Sequence, residues 1–210
     1  TDISFTGTQD ALNAALATML ISTGAATGQF DVNVTASVYV DNTYYLAPNN
    51  SYYKYVSSPG ISWTNALAGA AGQTLNGAQG YLVAITDAAE NDFVKSYVNA
   101  ANIWIGASDS EVEGTWKWMA GPEAGTTFWV GASGGATVPP LNYAAWAAGE
   151  PNNAGGEDYA VTNWAGTIGE WNDLPGSFGS VGGYLVEFSP PAGGYTGVSS
   201  QLVSAVVYAD

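Results

Sequence analysis

The stretch Trp146–Asp173, WAAGEPNNAGGEDYAVTNWAGTIGEWND, constrains the fold of this chain more than any other. Within it Glu150, Asn152, Glu157, Asp158, Asn172 and Asp173 offer carboxylate and amide oxygens, with no lysine, arginine or histidine to neutralise them. Gly149, Gly155, Gly156, Gly166 and Gly169 mark it as loop, and Pro151 fixes the backbone between two of the oxygen donors. Hard divalent cations take ligands of this kind; calcium accepts about 6–8 oxygens from carboxylates, amides and carbonyls. A bland acidic surface loop rarely collects Asn-Asp pairs flanked by tryptophan and separated by glycine. The segment reads as a calcium site.

Composition narrows the function classes. The chain has 210 residues, enough for one good-sized core or for one domain with a smaller appendage. A hydrophobic content of 47% with 13% aromatic residues excludes a disordered polyelectrolyte, despite the net charge of -15. Lys and Arg total 3, so nothing is available to neutralise nucleic-acid phosphates, and an anionic membrane would repel the chain. No run is long and apolar enough to span a bilayer, and no direct membrane insertion is expected. With His 0 and Cys 0, the common nucleophile–base pairs of covalent catalysis are impossible, so the chain is not expected to be an enzyme.

Taken in order, residues 1–46 open with a predicted helix capped by Thr8, carrying Leu12, Leu16, Met19 and Leu20 on one face. Phe30, Val32, Val34, Ala36, Val38 and Val40 then alternate with other residues, the period of a half-buried strand. The run Gln201–Tyr208 in the C-terminal segment 193–210 reads as another strand, and the two ends are expected to pair as a small β-rich flanking layer. Between them, 47–192 forms the main domain. Ser62 caps a helix through Trp63, Ala66, Leu67 and Ala70 that Gly72 ends, and Asp87 with Glu90 makes a capping-box-like start to a helix bearing Phe93, Val94, Tyr97 and Val98. Two helices among short strands predict an α+β domain with an antiparallel core. Trp104, Trp116 and Trp118 fall in strand-like runs and are read as core. Phe128, Trp129 and Trp164 could stack on a ligand or anchor the loop, and both readings stay open here.

GEPNN at 149–153, GEDYA at 156–160 and EWND at 170–173 resemble the long-loop motifs of C-type lectin domains. WIGASD at 104–109, EGTWKW at 113–118, LVAI at 82–85 with EN at 90–91, and the closing YLVEF at 184–188 are similar to further motifs of that family, in the same order. FTGTQDALNAALATML also resembles a segment of cadherin-like repeats in large bacterial surface proteins. The resemblance implies a C-type lectin-like fold, with calcium as cofactor and a principal site of Glu150, Asn152, Glu157, Asn172 and Asp173. It implies a cis Glu150–Pro151 bond. It also implies an auxiliary site of Asp109, Glu113, Asn153 and Asp158, in which Asn153 stands where the family often has aspartate. Tyr159 and Gly176 stand where animal relatives place a disulfide pair.

By the same resemblance, Glu150, Asn152, Glu157 and Asn172 would hydrogen-bond a sugar diol that ligates the ion, and EPN is similar to lectins preferring mannose- or fucose-type hydroxyls. The implied protein is an extracellular adhesion module at a bacterial surface, one part of a larger multidomain chain. Its partner is a glycan. The alternatives are a cell-surface peptide or protein offering a terminal carboxylate, and ice.

Overall fold

The computed structural model describes residues 43–46 and 48–190. The predicted helix from Thr8, the strand at 30–40, the strand Gln201–Tyr208 and their mutual pairing lie outside the described residues.

The chain enters through β1 (Thr43–Leu46) and β2 (Ser51–Ser57), an antiparallel pair in which Thr43 faces Lys54. Thr43–Leu46 falls in the segment read as flanking, and this pairing adds it to the sheet. Helix α1 (Trp63–Ala71) starts where Ser62, in extended conformation, accepts a hydrogen bond from the Asn65 N–H, and Gly72 ends it. Trp63, Ala66 and Ala70 are its buried face. The two-stranded β3 (Thr74–Leu75) and β4 (Ala78–Gln79) turn at Asn76 and Gly77, both left-handed, as a tight hairpin requires. After β5 (Tyr81–Leu82), α2 (Ala88–Tyr97) begins with Asp87 accepting from the Glu90 N–H at 2.8 Å. Glu90 does not close the box onto Asp87. Its carboxylate turns inward and takes the Thr86 N–H instead.

The second half carries β6 (Ile103–Ser108), β7 (Thr115–Trp118), β8 (Thr127–Val130), β9 (Ala136–Thr137), β10 (Tyr159–Thr162), β11 (Trp171–Leu174) and β12 (Gly183–Phe188). The larger sheet runs β1-β2-β12-β6-β7-β8-β9, with β10 joining β6 and β11, and β5 joining β12. Its pairings are antiparallel except β12 with β6. The closing strand therefore lies between the opening hairpin and the centre of the sheet, and brings both ends of the domain together.

Two apolar clusters sit on either side of this sheet. Trp104, Trp116, Trp118 and Trp171 are fully buried, so the strand tryptophans are core, as read from the sequence. Trp116, Trp118 and Trp171 bury their Nε1–H groups without a protein partner, whereas Trp63 and Trp104 have one each. Trp63 Nε1 donates to the Ile105 carbonyl at 2.9 Å and Trp104 Nε1 to the Ile61 carbonyl at 2.8 Å, stitching α1 to β6. Phe128 stacks on Trp118 and is fully buried; Trp129 and Trp164 are half-buried against the two clusters. In place of a disulfide, the Tyr159 ring covers Gly176, where an added Cβ would meet it at 2.9 Å, and packs on Trp63 with ring centres 4.7 Å apart.

Gly106 is where β6 and the chain after β5 approach most closely: a Cβ there would sit 2.7 Å from the Leu82 carbonyl oxygen and 2.9 Å from that of Val83. Backbone cannot give way as a side chain can. Gly106→Ala is expected to cost about 1–3 kcal/mol in urea denaturation. Gly134→Ala, which meets nothing within 4 Å, is expected to leave the midpoint unchanged.

Candidate metal centre

The long loop after β9 is pinned to β11 before it reaches the acidic residues. Trp146 bridges Trp171, the Ala147 N–H donates to the Trp171 carbonyl at 2.8 Å, and the Trp171 N–H donates to Ala145 at 2.8 Å. The loop then turns, with the Glu150 N–H on the Ala147 carbonyl at 3.0 Å and the Glu150–Pro151 bond cis. Past Pro151 the backbone closes onto β11 again. The Asp173 carboxylate accepts the Asn152 N–H at 3.0 Å and the Asn153 N–H at 2.7 Å. Asn153, left-handed at φ 50, returns its side-chain oxygen to the Glu157 N–H at 2.7 Å, and Glu157 Oε2 accepts the Ala154 N–H at 2.9 Å. This reciprocal pair of bonds closes the glycine-containing turn.

Five residues of the expected principal set thus meet at one end of β10 and β11. Asn172 and Asp173 are 2% and 1% exposed on β11; Glu157 is buried, Glu150 is half-buried and Asn152 is exposed. Asn172 directs its amide nitrogen to the Asp173 carbonyl at 2.6 Å, which leaves its oxygen turned away from that bond. That oxygen, Asn172 Oδ1, is buried without a protein partner, as is Glu150 Oε2. A buried polar oxygen left unpaired costs about 1–3 kcal/mol, more for a charged group. Both are acceptors, so only a donor or a cation can satisfy them. Among the described residues no three carboxylates form an ion site by themselves, so the amide oxygens of Asn152 and Asn172 have to complete any shell. The donor set is that of a hard cation, and the residues present fit calcium.

The electrostatics agree. Burial pushes the Glu150 carboxyl up to about 6, and the charges of Asp173 and Glu157 push it further in the same direction. Burial also raises Glu157, against the lowering effect of the Ala154 N–H, with Asp173 adding to the rise. No base relieves this crowding. Lys95 and Lys117 are engaged by Asp92 and Glu111 at 2.9 and 2.7 Å.

The residues of the expected auxiliary set divide. Asp109, 2% exposed at the end of β6, accepts the Gly114 N–H on Oδ2 at 2.8 Å, while Oδ1 is buried and unpartnered. Burial pushes its carboxyl up to about 6, with Glu113 and Asp158 adding to the rise. Asp109, Glu113, Asn153 and Asp173 line a cavity of about 10 Å³, room for about one water-sized guest. Asp158 is not in that lining. It meets Asp109 through its carbonyl, which accepts the Asp109 N–H at 3.2 Å. Sequence reasoning missed Trp116, Gly131 and Ala132 as walls of this cavity, because they come from β7 and the β8–β9 turn and carry no ligand signature.

A family profile described as the Lectin C-type domain matches residues 70–178. A perlucin-like protein from Mytilus galloprovincialis is 30% identical over 141 residues, which cover 65% of this chain and 70% of that protein. The chain belongs to the C-type lectin domain family. Halomucin from Haloquadratum walsbyi is 36% identical over 180 residues, 86% of this chain but 2% of halomucin's own length. The fold matches the cow CD23 C-type carbohydrate-recognition domain, solved in the presence of a GlcNAc2Man3 oligosaccharide, at TM-score 0.55 and 23% identity, over 75% of this chain and 100% of that one. It also matches a calcium-independent type II antifreeze protein at TM-score 0.52 and 21% identity, over 75% and 98%. At these identities the likeness is of fold alone. Domains of this family are generally non-enzymatic binding modules, and among the described residues no helix is long and apolar enough to cross a membrane.

The folded chain holds the Glu150 and Asp109 protons more tightly than the unfolded chain does. Without a cation, that increment of stability is complete below the ordinary carboxylate range and is lost as pH rises through about 6. Urea denaturation in chelator is therefore expected to give a lower midpoint at about pH 7 than at about pH 5, and Glu150→Gln to shrink the difference. Equal midpoints at the two pH values would contradict the crowding of carboxylates described here.

Proposed function

We propose that this domain is a calcium-dependent adhesion module whose ligand is carbohydrate of mannose or fucose type. The observation that carries the reading is the pair of buried, unpartnered oxygens, Glu150 Oε2 and Asn172 Oδ1, beside the Asp173 carboxylate. Glu150, Asn152, Glu157, Asn172 and Asp173 would hold the principal ion, and Asp109, Glu113 and Asn153 would serve the auxiliary position, whose lining Asp158 does not join. A bound calcium supplies open coordination positions for two hydroxyls of one sugar. The exposed Asn152 and the half-buried Glu150 would meet the ligand first, with the buried Glu157 and Asn172 behind them. Side chains placed to accept from and donate to hydroxyls discriminate by geometry, because a mismatched hydroxyl leaves a buried group unpaired.

The EPN sequence at 150–152 and the WND sequence at 171–173 support the mannose-type preference. The share of halomucin that this chain matches supports a place in a larger chain, as a surface adhesin would have. A peptide's terminal carboxylate would ligate the same ion, and ice would need neither ion nor diol.

Calcium binding read by isothermal titration tests the site. Asn172→Ala or Asp173→Ala is expected to weaken it more than about tenfold, since ligand number and charge tune calcium affinity. A glycan and peptide array, with and without chelator, tests the ligand. Chelator-sensitive binding to mannose- or fucose-type glycans is expected. Chelator-sensitive binding to peptides alone would keep the ion and replace the sugar, and binding that ignores chelator would overturn the mechanism.

A further inference from the structure

Outside the candidate site the fold buries a second carboxylate pair that no base accompanies. Glu90 on α2 and Glu187 on β12 are 1% and 5% exposed. The Tyr53 hydroxyl on β2 stands between them, 2.7 Å from Glu90 Oε1 and 3.5 Å from Glu187 Oε1. The titratable groups facing the pair are Tyr53 from β2, Tyr81 from β5, Asp87 ahead of α2, Glu123 after β7 and Tyr143 from the long loop. None is a base. Lys54 follows Tyr53 on β2 and so alternates to the other face of the strand.

Hydrogen bonds divide the pair unequally. Glu90 accepts from the Tyr53 hydroxyl at 2.7 Å, the Thr86 N–H at 2.7 Å and the Thr86 hydroxyl at 3.1 Å. This is the shell of an ionised carboxylate. Around Glu187 the Ala84 N–H and the Ser189 hydroxyl stand farther off, each at 3.4 Å, and the Tyr81 and Ser51 hydroxyls also donate to it without offsetting its burial. Tyr53 has a single proton, already given to Glu90, and its oxygen accepts from Asn49 Nδ2 at 2.7 Å. At 3.5 Å its contact with Glu187 is long, and a hydrogen carried on Glu187 would strengthen it. Two ionised carboxylates this close and this buried would face desolvation and mutual repulsion together.

We propose that Glu90 and Glu187 form a proton-bound clamp, in which Glu187 stays a neutral acid at neutral pH and, through Tyr53, locks α2 to β2 and β12. Burial, first among the causes, raises both carboxyls; the charge of Glu90 adds to the rise at Glu187 and that of Asp87 to the rise at Glu90, which the Thr86 and Tyr53 hydrogen bonds oppose. The clamp reaches the candidate site. Asn91, next to Glu90, donates to the Gly169 carbonyl at 3.1 Å, just ahead of the strand that carries Asn172 and Asp173.

Because the native chain holds this proton and the unfolded chain releases it in the ordinary carboxylate range, stability is complete at acid pH and declines as pH rises through neutrality. Infrared spectroscopy of the 210-residue chain in saturating calcium at neutral pH is expected to show a protonated carboxyl that Glu187→Gln removes. In saturating calcium the urea midpoint of the unsubstituted chain is expected to fall between mildly acid and mildly alkaline pH, and that of Glu187→Gln to fall less steeply and end the higher of the two. Absence of the protonated carboxyl, or an unchanged pH slope in Glu187→Gln, would overturn the clamp. Loss of one bound calcium in Glu187→Gln would also overturn it, by showing that the pair holds a metal rather than a proton. Absence of that band in the unsubstituted chain overturns the clamp even if Glu187→Gln does not fold.

Discussion

The Asp173 carboxylate is the contact on which the binding end of this domain depends. It is almost fully buried on β11, opposite Ala160 of β10, and it takes the N–H groups of Asn152 and Asn153 from a loop that has no regular structure of its own. Two charge-assisted hydrogen bonds to a buried carboxylate hold that loop more firmly than neutral ones would. They also fix the flanking side chains, since Glu150 and Asn152 are separated only by Pro151. The loop is shaped by the sheet, and the sheet is shaped by its tryptophans.

That arrangement concentrates negative charge where the chain has no positive charge to spare. With Lys and Arg totalling 3 against 18 acidic residues, the fold cannot pair its buried carboxylates with side-chain cations. It uses three other devices. Backbone N–H groups serve Asp173 and Glu157, packing of Tyr159 on Gly176 and Trp63 stands where relatives use a disulfide, and a shared proton is proposed for Glu90 and Glu187. At Glu150 and Asn172 these devices run out, and unpartnered oxygens remain. A donor or a cation would satisfy them, and the proposed calcium would couple ion affinity to folding.

Much of this was legible in the sequence because it is local. Ser62 and Asp87 announce both helices through their caps, Gly72 ends the first, and the acidic, glycine-punctuated loop declares oxygen ligands with no counter-charge. Long-range geometry was not legible. Nothing in YLVEF says that Glu187 faces Glu90, which a capping box explains locally and which the fold turns inward. Likewise Asp158 carries a ligand's side chain yet meets Asp109 through its carbonyl, because the pairing of β10 with β6, which Tyr159 and Ser108 begin, decides which atom arrives. Phe128 and Trp129 looked equally suited to a ligand or to the core. Stacking on Trp118 decides Phe128 for the core, while Trp129 stays half-buried against Trp146.

Terbium luminescence tests the central claim most directly, because a lanthanide takes the oxygen shell of calcium and Trp171 precedes the two strand ligands in sequence. On indole excitation the intact chain is expected to sensitise terbium emission, and added calcium is expected to quench it in proportion to the ion displaced. Emission that is absent, or that calcium leaves unchanged, would mean that Glu150, Asn152, Glu157, Asn172 and Asp173 do not assemble a calcium site.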